Sequence, residues 1–217
     1  MMLPMSAPDP ERALKLYRAR ARMYDGRFSS RVANVRDEAV SLLNLRRGQT
    51  VLEMGCGTGK NFALLRARVG AEGRIIGIDQ SPDMLAQARR KADDQGWRNV
   101  ELVHARADSI DLRAVADAVL FYATHDILRS PEAIARALGA ARPGAPIVAA
   151  GTQWASGWNV PVNLYLWVTS RRYITTFEGY ARPWDRLAAA VPNLTVSTQR
   201  MGAIYLAHGT VPGDERT

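Results

Sequence analysis

From Thr50 to Gly151, short apolar runs alternate with segments whose apolar residues recur every three or four positions. The runs TVLEM (50–54), GRIIGID (73–79), VELVHA (100–105), ADAVLFYA (116–123) and APIVAAG (145–151) read as buried strands. The segments between them, GKNFALLRARV (59–69), SPDMLAQARRKADDQG (81–96) and SPEAIARALGAA (130–141), read as helices. Ser81 and Ser130 each precede a proline and an acid, a typical helix opening: side-chain cap, pre-set φ, negative charge at the positive end. Strands alternating with helices of this length predict a parallel sheet with helices on both faces.

The flanks are patterned differently. The first ten residues hold three prolines and are expected to be loose. Leu14, Tyr17, Ala21, Tyr24 and Phe28 share one helical face, and Arg12, Lys15, Arg18 and Arg22 another. A second helix is expected from about Ser30 to Leu45, with Val32, Val35, Ala39, Leu42 and Leu43 inward. After Gly151, PVNLYLWVTSRRYI (161–174) and RPWDRLAAAV (182–191) read as helices. LTVSTQR (194–200) and AIYLAHGT (203–210) read as a hairpin turning at Met201-Gly202. From Pro143 to Ser170 there is no charge, which reads as a buried strand followed by a loop and a helix start.

Composition changes this picture little and charge changes it more. At 217 residues and 47% apolar content the chain suits one α/β domain. The net charge is +8, and only Lys15, Lys60 and Lys91 are lysines among 29 basic residues. Such arginine usage is compatible with phosphate contact and equally with a genomic bias; the field favours anionic partners either way. Cys56 is the only cysteine, which excludes an intrachain disulfide and cysteine-based metal sites. No metal is expected. The start lacks the layout of a signal peptide, and no apolar run reaches about 18 residues, so a cytoplasmic location is expected.

The chemistry concentrates in TVLEMGCGTGKN (50–61). A phosphate-binding P-loop fails here, because Met54 stands at its first glycine and Asn61 at its hydroxyl position. The dinucleotide fingerprint fails too, because Lys60 stands at its third glycine. Glu53 beside the loop would repel a diphosphate and suits an ammonium group and hydroxyls. Asp79 ends the next strand, 22 residues past Gly57, where an acid accepts hydrogen bonds from ribose. Adenosine without phosphates, carrying an amino-acid tail, describes S-adenosylmethionine.

VLEMGCGTGKN, IIGIDQSPDML and RPGAPIV resemble the glycine loop, ribose strand and fifth-strand entry of class I S-adenosylmethionine-dependent methyltransferases. The resemblance covers about residues 20 to 150. It is closest to the ubiquinone/menaquinone-biosynthesis type and to bacterial phospholipid N-methyltransferases. It implies a Rossmann-like, doubly wound, seven-stranded α/β sheet, mostly parallel, with a C-terminal antiparallel hairpin. It implies one domain, with helices 11–45 as a cap and residues 152–190 as an acceptor-side lid. Gly55, Cys56, Gly57 and Gly59 would let the backbone approach the methionine and ribose. Glu53 would support the loop or meet the ammonium through water, Asp79 would bind the ribose, and Gln80 and Met84 would flank the adenine. Relatives often carry GDA after the third strand, and this chain has HARADSI (104–110), so adenine recognition falls to the Ala107 amide or to Asp108. Tyr17 or Tyr24 would line the pocket from the cap.

Acceptor-facing groups are expected where the fourth strand ends, in FYATHDIL (121–128). His125 is the best-placed general-base candidate and Tyr122 a second catalytic candidate; a histidine that only shapes the loop is the competing reading. His104 and His208 read as structural. Trp154, Trp158, Trp167 and Trp184 fall after residue 150, and a charge-free aromatic lid suits an apolar or aromatic acceptor. The basic first helix adds an alternative, a phospholipid N-methyltransferase at an anionic membrane surface. FYATHD has no PP element, which argues against a nucleic-acid acceptor. A cofactor-binding scaffold without activity is the non-enzyme alternative. Oligomeric state and methylated atom are open.

Overall fold

Each of the five apolar runs is a strand in the computed structural model of this chain: β1 (Thr50–Met54), β2 (Arg74–Asp79), β3 (Val100–His104), β4 (Ala118–Tyr122) and β5 (Pro146–Thr152). The structure describes residues 33–113, 115–171 and 173–213, together with Asp9 and Glu11. The helices are α1 (Ala33–Leu42), α2 (Phe62–Val69), α3 (Pro82–Asp94), α4 (His125–Leu128), α5 (Pro131–Ala140), α6 (Val160–Ser170) and α7 (Asp185–Ala190). The hairpin is β6 (Thr195–Gln199) with β7 (Ile204–Thr210). The expected first helix, with Leu14, Tyr17, Ala21, Tyr24 and Phe28, lies outside the described residues.

The seven strands run in the order β3-β2-β1-β4-β5-β7-β6. The first five are parallel, and β7 lies antiparallel between β5 and β6. The apolar runs show no in-out alternation because both sheet faces are covered. Leu52, Met54, Ile76, Ile78, Val119 and Phe121 face the layer holding α5 and α7. Val51, Ile75, Leu120 and Val148 face α1, α2 and α3 through Val35, Ala39, Leu65 and Ala88. Ser81 and Ser130 cap α3 and α5 as their sequence implies, accepting from the amides of Met84 and Ala133.

One expectation is corrected. The helix read from Gly59 begins at Phe62; Gly59 has φ +70° and its segment is a turn. The charge-free stretch is the buried strand, loop and helix start read from it, and its burial is concentrated in the first half. In α6 only Leu166 is buried, while Trp158, Val160, Leu164, Tyr165 and Trp167 stand exposed around it.

Candidate active site

β1 and β4 are neighbours, and their outgoing connections lead to opposite faces of the sheet. That switch point leaves a crevice at the carboxyl ends of the strands. The glycine loop leaves β1 there and residues 123–125 leave β4 beside it. Gly55 has φ +71°, and a β-carbon on it would lie 2.6 Å from Thr124 Cγ2 and 2.8 Å from Ile127 Cδ1. Gly57 has φ +55° with no atom within 4 Å of such a carbon, so the backbone is bare toward the cavity. Gly59 differs: its added carbon would strike the Phe62 ring at 2.5 Å, so this glycine serves packing under the loop and does not line the cavity. Cys56 lines the cavity, but its thiol is buried against the position of Gly77, whose added β-carbon would lie 2.9 Å from Sγ. Burial pushes that thiol well up, so it stays protonated and inert.

Two carboxyls organise this end. Asp79 Oδ2 accepts from the Gly57 amide at 2.9 Å, and its Oδ1 accepts from the Ser81 amide at 2.8 Å. Burial raises its pKa, and these bonds oppose the rise. Each oxygen retains a lone pair for a ligand hydroxyl. Glu53 is only 1% exposed, and its Oε1 accepts from Asn61 Nδ2 at 2.5 Å. Its Oε2 has no partner among the described residues. Burial lifts the carboxyl to about 8, so in the free protein it is mostly protonated at neutral pH. Lys91 Nζ donates to the Thr58 carbonyl at 2.8 Å, tying the loop to α3.

Gln80 and Met84 both line the cavity beyond Asp79. Ala107 and Asp108 line it as well. Asp108 is held by Arg106 at 2.5 and 3.0 Å, which keeps its carboxyl below its ordinary range. The substituted arginine is therefore the partner of the acid that follows it. His104 is exposed at the end of β3, with Nε2 3.1 Å from the Gln80 carbonyl, rather than packed inside the strand. Tyr24 and Tyr17 lie outside the described residues.

Past β4 the cavity changes character. Ala123 has φ +56°, a strained value for a side-chain-bearing residue, and its amide donates to the Ala150 carbonyl at 2.8 Å. The turn presents Tyr122, Thr124 and His125 to the cavity. The Tyr122 hydroxyl, Thr124 Oγ1 and both His125 ring nitrogens are buried without hydrogen-bond partners among the described residues. The Thr176 and Glu178 backbone comes near the His125 ring without completing a bond. Burial, then the Arg129 charge, lowers His125 to about 4, so the ring is neutral at pH 7. Its ring meets Tyr180 edge-on at 5.2 Å, and Tyr180 is anchored by Thr152 and Ser170 at 2.6 and 2.7 Å. Trp154 and Phe177 stack at 5.3 Å behind Tyr180, so this part of residues 152–190 is aromatic core. Asp126 is turned away from a free role, accepting from the Thr175 amide and hydroxyl.

One cavity of about 1140 Å³ joins both ends. Sequence reasoning missed two of its residues. Asn61 entered only as a mismatch to the P-loop, and it is the partner of Glu53. Arg36, on α1, lies with its guanidinium 5.2 Å from the Tyr122 ring centre, and its buried Nε has no partner among the described residues. Its signal was slight, a lone arginine one position from the inward Val35.

Buried unpartnered polar atoms are uncommon in folded proteins, and most of those among the described residues, on Arg36, Glu53, Asn61, Tyr122, Thr124, His125 and Arg129, line one crevice at a topological switch point. Residues 51–144 match the model of a methyltransferase domain family. The match covers less than half of the chain and is a likeness to a methyltransferase domain, of the kind whose cofactor is S-adenosylmethionine. A demethylmenaquinone methyltransferase of Listeria welshimeri is 35% identical over 72 residues, covering 33% of this chain and 30% of that protein. The chain spans about a third of the length of the curated relatives it matches. A chain of a Haloferax volcanii complex between a methyltransferase activator and a methyltransferase superposes with a TM-score of 0.73 at 16% identity, covering 94% of this chain and 100% of that one. A SAM-dependent methyltransferase from Aquifex aeolicus gives 0.58 at 19%, covering 94% and 98%. At these identities the structural likeness is one of fold, and the Rossmann-like sheet read from the sequence is the fold observed.

Proposed function

We propose that this protein transfers the methyl group of S-adenosylmethionine to a small, largely apolar or aromatic acceptor by in-line displacement. The observation that carries the reading is the single cavity. Its polar end is set by Glu53, Asp79 and Arg36, and its other end is walled by Val162, Tyr165, Leu166 and Ile174 of the lid.

Asp79, fixed by two amides, presents oxygens for the two ribose hydroxyls. Arg36 and Glu53 suit the two ends of an amino-acid tail, guanidinium to carboxylate and carboxyl to ammonium. Gln80, Met84 and the Ala107 amide face the adenine, with Asp108 and Arg106 at its rim. When bound, the cofactor supplies the electrophilic methyl carbon and a neutral thioether leaving group. The protein then has to align the acceptor and exclude water. Neutral His125 accepts a hydrogen bond from an acceptor hydroxyl or amine, and Tyr122 and Thr124 complete the polar rim. With its conjugate acid near 4, His125 orients that group better than it strips it. Full proton transfer from a phenol of pKa ~10 would be uphill by about 8 kcal/mol.

The test is a product-mass screen with methyl-labelled cofactor against quinol precursors, phenols and aminophospholipids, alongside calorimetry of cofactor binding. A gain of one labelled methyl on a phenol or quinol is expected. Methylation of aminophospholipids alone would replace this acceptor class by the phospholipid one. No calorimetric binding would overturn the enzymatic reading and leave a scaffold.

A further inference from the structure

The outer side of the lid helix has no role in the cavity. Val162, Tyr165, Leu166 and Thr169 of α6 line it. Val160, Leu164, Trp167 and Arg171 recur at helical spacing on the other side and are exposed. Trp158, just before the helix, is 97% exposed. Met201, 61% exposed at the β6–β7 turn, extends the patch toward the cavity, which it also lines, its sulfur 3.7 Å from Asn159 Nδ2. A neighbouring set of two tryptophans, a leucine, a valine and a methionine in water is costly for a soluble surface without a function.

Along the chain the charge flanking this helix has one sign, and the acid that adjoins the β6–β7 turn is Glu38, which is held by Gln199 Nε2 at 2.6 Å. Between Glu132 and Glu178 the chain has no acidic residue. Arg171 lies over the Trp167 ring, 4.7 Å from its centre, and exposed Arg200 adjoins Met201. Tryptophans beside arginines are the composition that settles at the boundary of headgroups and acyl chains, and the +8 net charge draws the molecule to an anionic surface. A protein partner would need a matching apolar groove, for which nothing in the charge pattern argues.

We propose that the outer face of α6, with Trp158 and Met201, docks on an anionic lipid surface. The helix then has one side on the bilayer and the other on the acceptor cavity, so an apolar acceptor dissolved in lipid has a short path in. That last step rests on the methyl-transfer reading; the docking does not. The region responsible is the lid, in addition to whatever the basic residues 12–22 contribute.

The experiment is co-sedimentation of the full chain with vesicles of phosphatidylcholine containing about 30% phosphatidylglycerol, and with phosphatidylcholine alone. Tryptophan emission is followed in the same samples, without cofactor or acceptor. Binding to the anionic vesicles with a blue shift is expected. The triple variant Trp158→Ser, Leu164→Ser, Trp167→Ser is expected to bind about tenfold more weakly or worse. Its calorimetric cofactor affinity should equal the parent's, which shows that it is folded and separates this test from the methyl-transfer reading. The proposal is overturned if the parent ignores anionic vesicles, or if the variant binds them as well as the parent. It is also overturned if the parent sediments as a dimer that the same substitutions dissolve, since the face would then belong to a second copy.

Discussion

The two ends of the cavity are built on opposite plans. At the glycine-loop end, where the proposed reading puts the cofactor, position is set by backbone: three left-handed glycines, two amides on Asp79 and a lysine on the Thr58 carbonyl. At the other end, past β4, where it puts the acceptor, position is set by side chains packed on one another: Trp154 on Phe177, both against Tyr180, and His125 against Tyr180. A backbone cradle suits a ligand that never changes, while a side-chain wall can be refitted to another acceptor by substitution.

The strongest test of the first plan is Asp79→Ala. It removes the acceptor of the Gly57 and Ser81 amides and, on the proposed reading, both ribose contacts. At about 1.5–3 kcal/mol for a hydrogen bond to a charged group, cofactor affinity measured by calorimetry should fall by at least ~100-fold. An affinity within a few-fold of the parent would mean that Asp79 merely staples the loop.

Glycine substitutions come next and separate fold from ligand. Gly55→Ala adds about 1–2 kcal/mol of left-handed strain and a clash with Thr124 and Ile127 worth about 1–3 more. Gly57→Ala adds the strain alone, because nothing stands near its β-carbon. Thermal unfolding should therefore show Gly55→Ala as the less stable. Calorimetry should show Gly57→Ala to be weak for cofactor despite its milder folding defect, because its methyl projects into the cavity. Equal stability of the two would show that the turn relaxes around Gly55.

Glu53 gives the third test, through pH. Its folded pKa, about 8, lies above the unfolded carboxyl value, so the folded state prefers the proton. That preference stabilises fully below the unfolded pKa and is lost as pH rises through 8. His125 has the opposite shift, down to about 4, and its contribution changes only between about 4 and 6.5. The window from pH 6.5 to 8 therefore lies above the His125 range, and the raised Asp79 carboxyl is common to the parent and to Glu53→Gln, so the difference between the two proteins reports Glu53. Without cofactor, the parent should lose about 2 kcal/mol more across it than Glu53→Gln. Denaturant titrations at the two pH values decide this, and parallel behaviour of the two proteins would show that Glu53 is ionised in the free site.

The same contrast explains what the sequence could show. The glycine-loop end was legible because glycine spacing, strand-end acids and Ser-Pro caps are local rules. Gly55, Gly57 and Asp79 fall where those rules place them. Gly59 is the exception, since only the fold reveals Phe62 beneath it. Asn61 and Arg36 were illegible because their meaning is a partner, Glu53 for one and the Tyr122 ring for the other, set by the fold. The lid defeated the pattern for another reason. An uncharged aromatic run reads as core, and hydropathy does not distinguish burial under a sheet, as for Trp184, from exposure, as for Trp158.

The smallest expected effect tests that distinction. Trp184 packs at 5.1 Å on the buried Tyr205 ring, and Trp184→Ala should cost about 3–5 kcal/mol of stability. Trp158→Ser removes a side chain of the same type that is almost wholly in water, so its unfolding free energy should change by no more than about 0.5 kcal/mol. Neither residue lines the cavity, so cofactor affinity of the Trp158 variant should match the parent. A destabilisation by Trp158→Ser comparable to that of Trp184→Ala would mean that the indole is covered in solution, and the outer face of α6 would then belong to the core that its composition imitates.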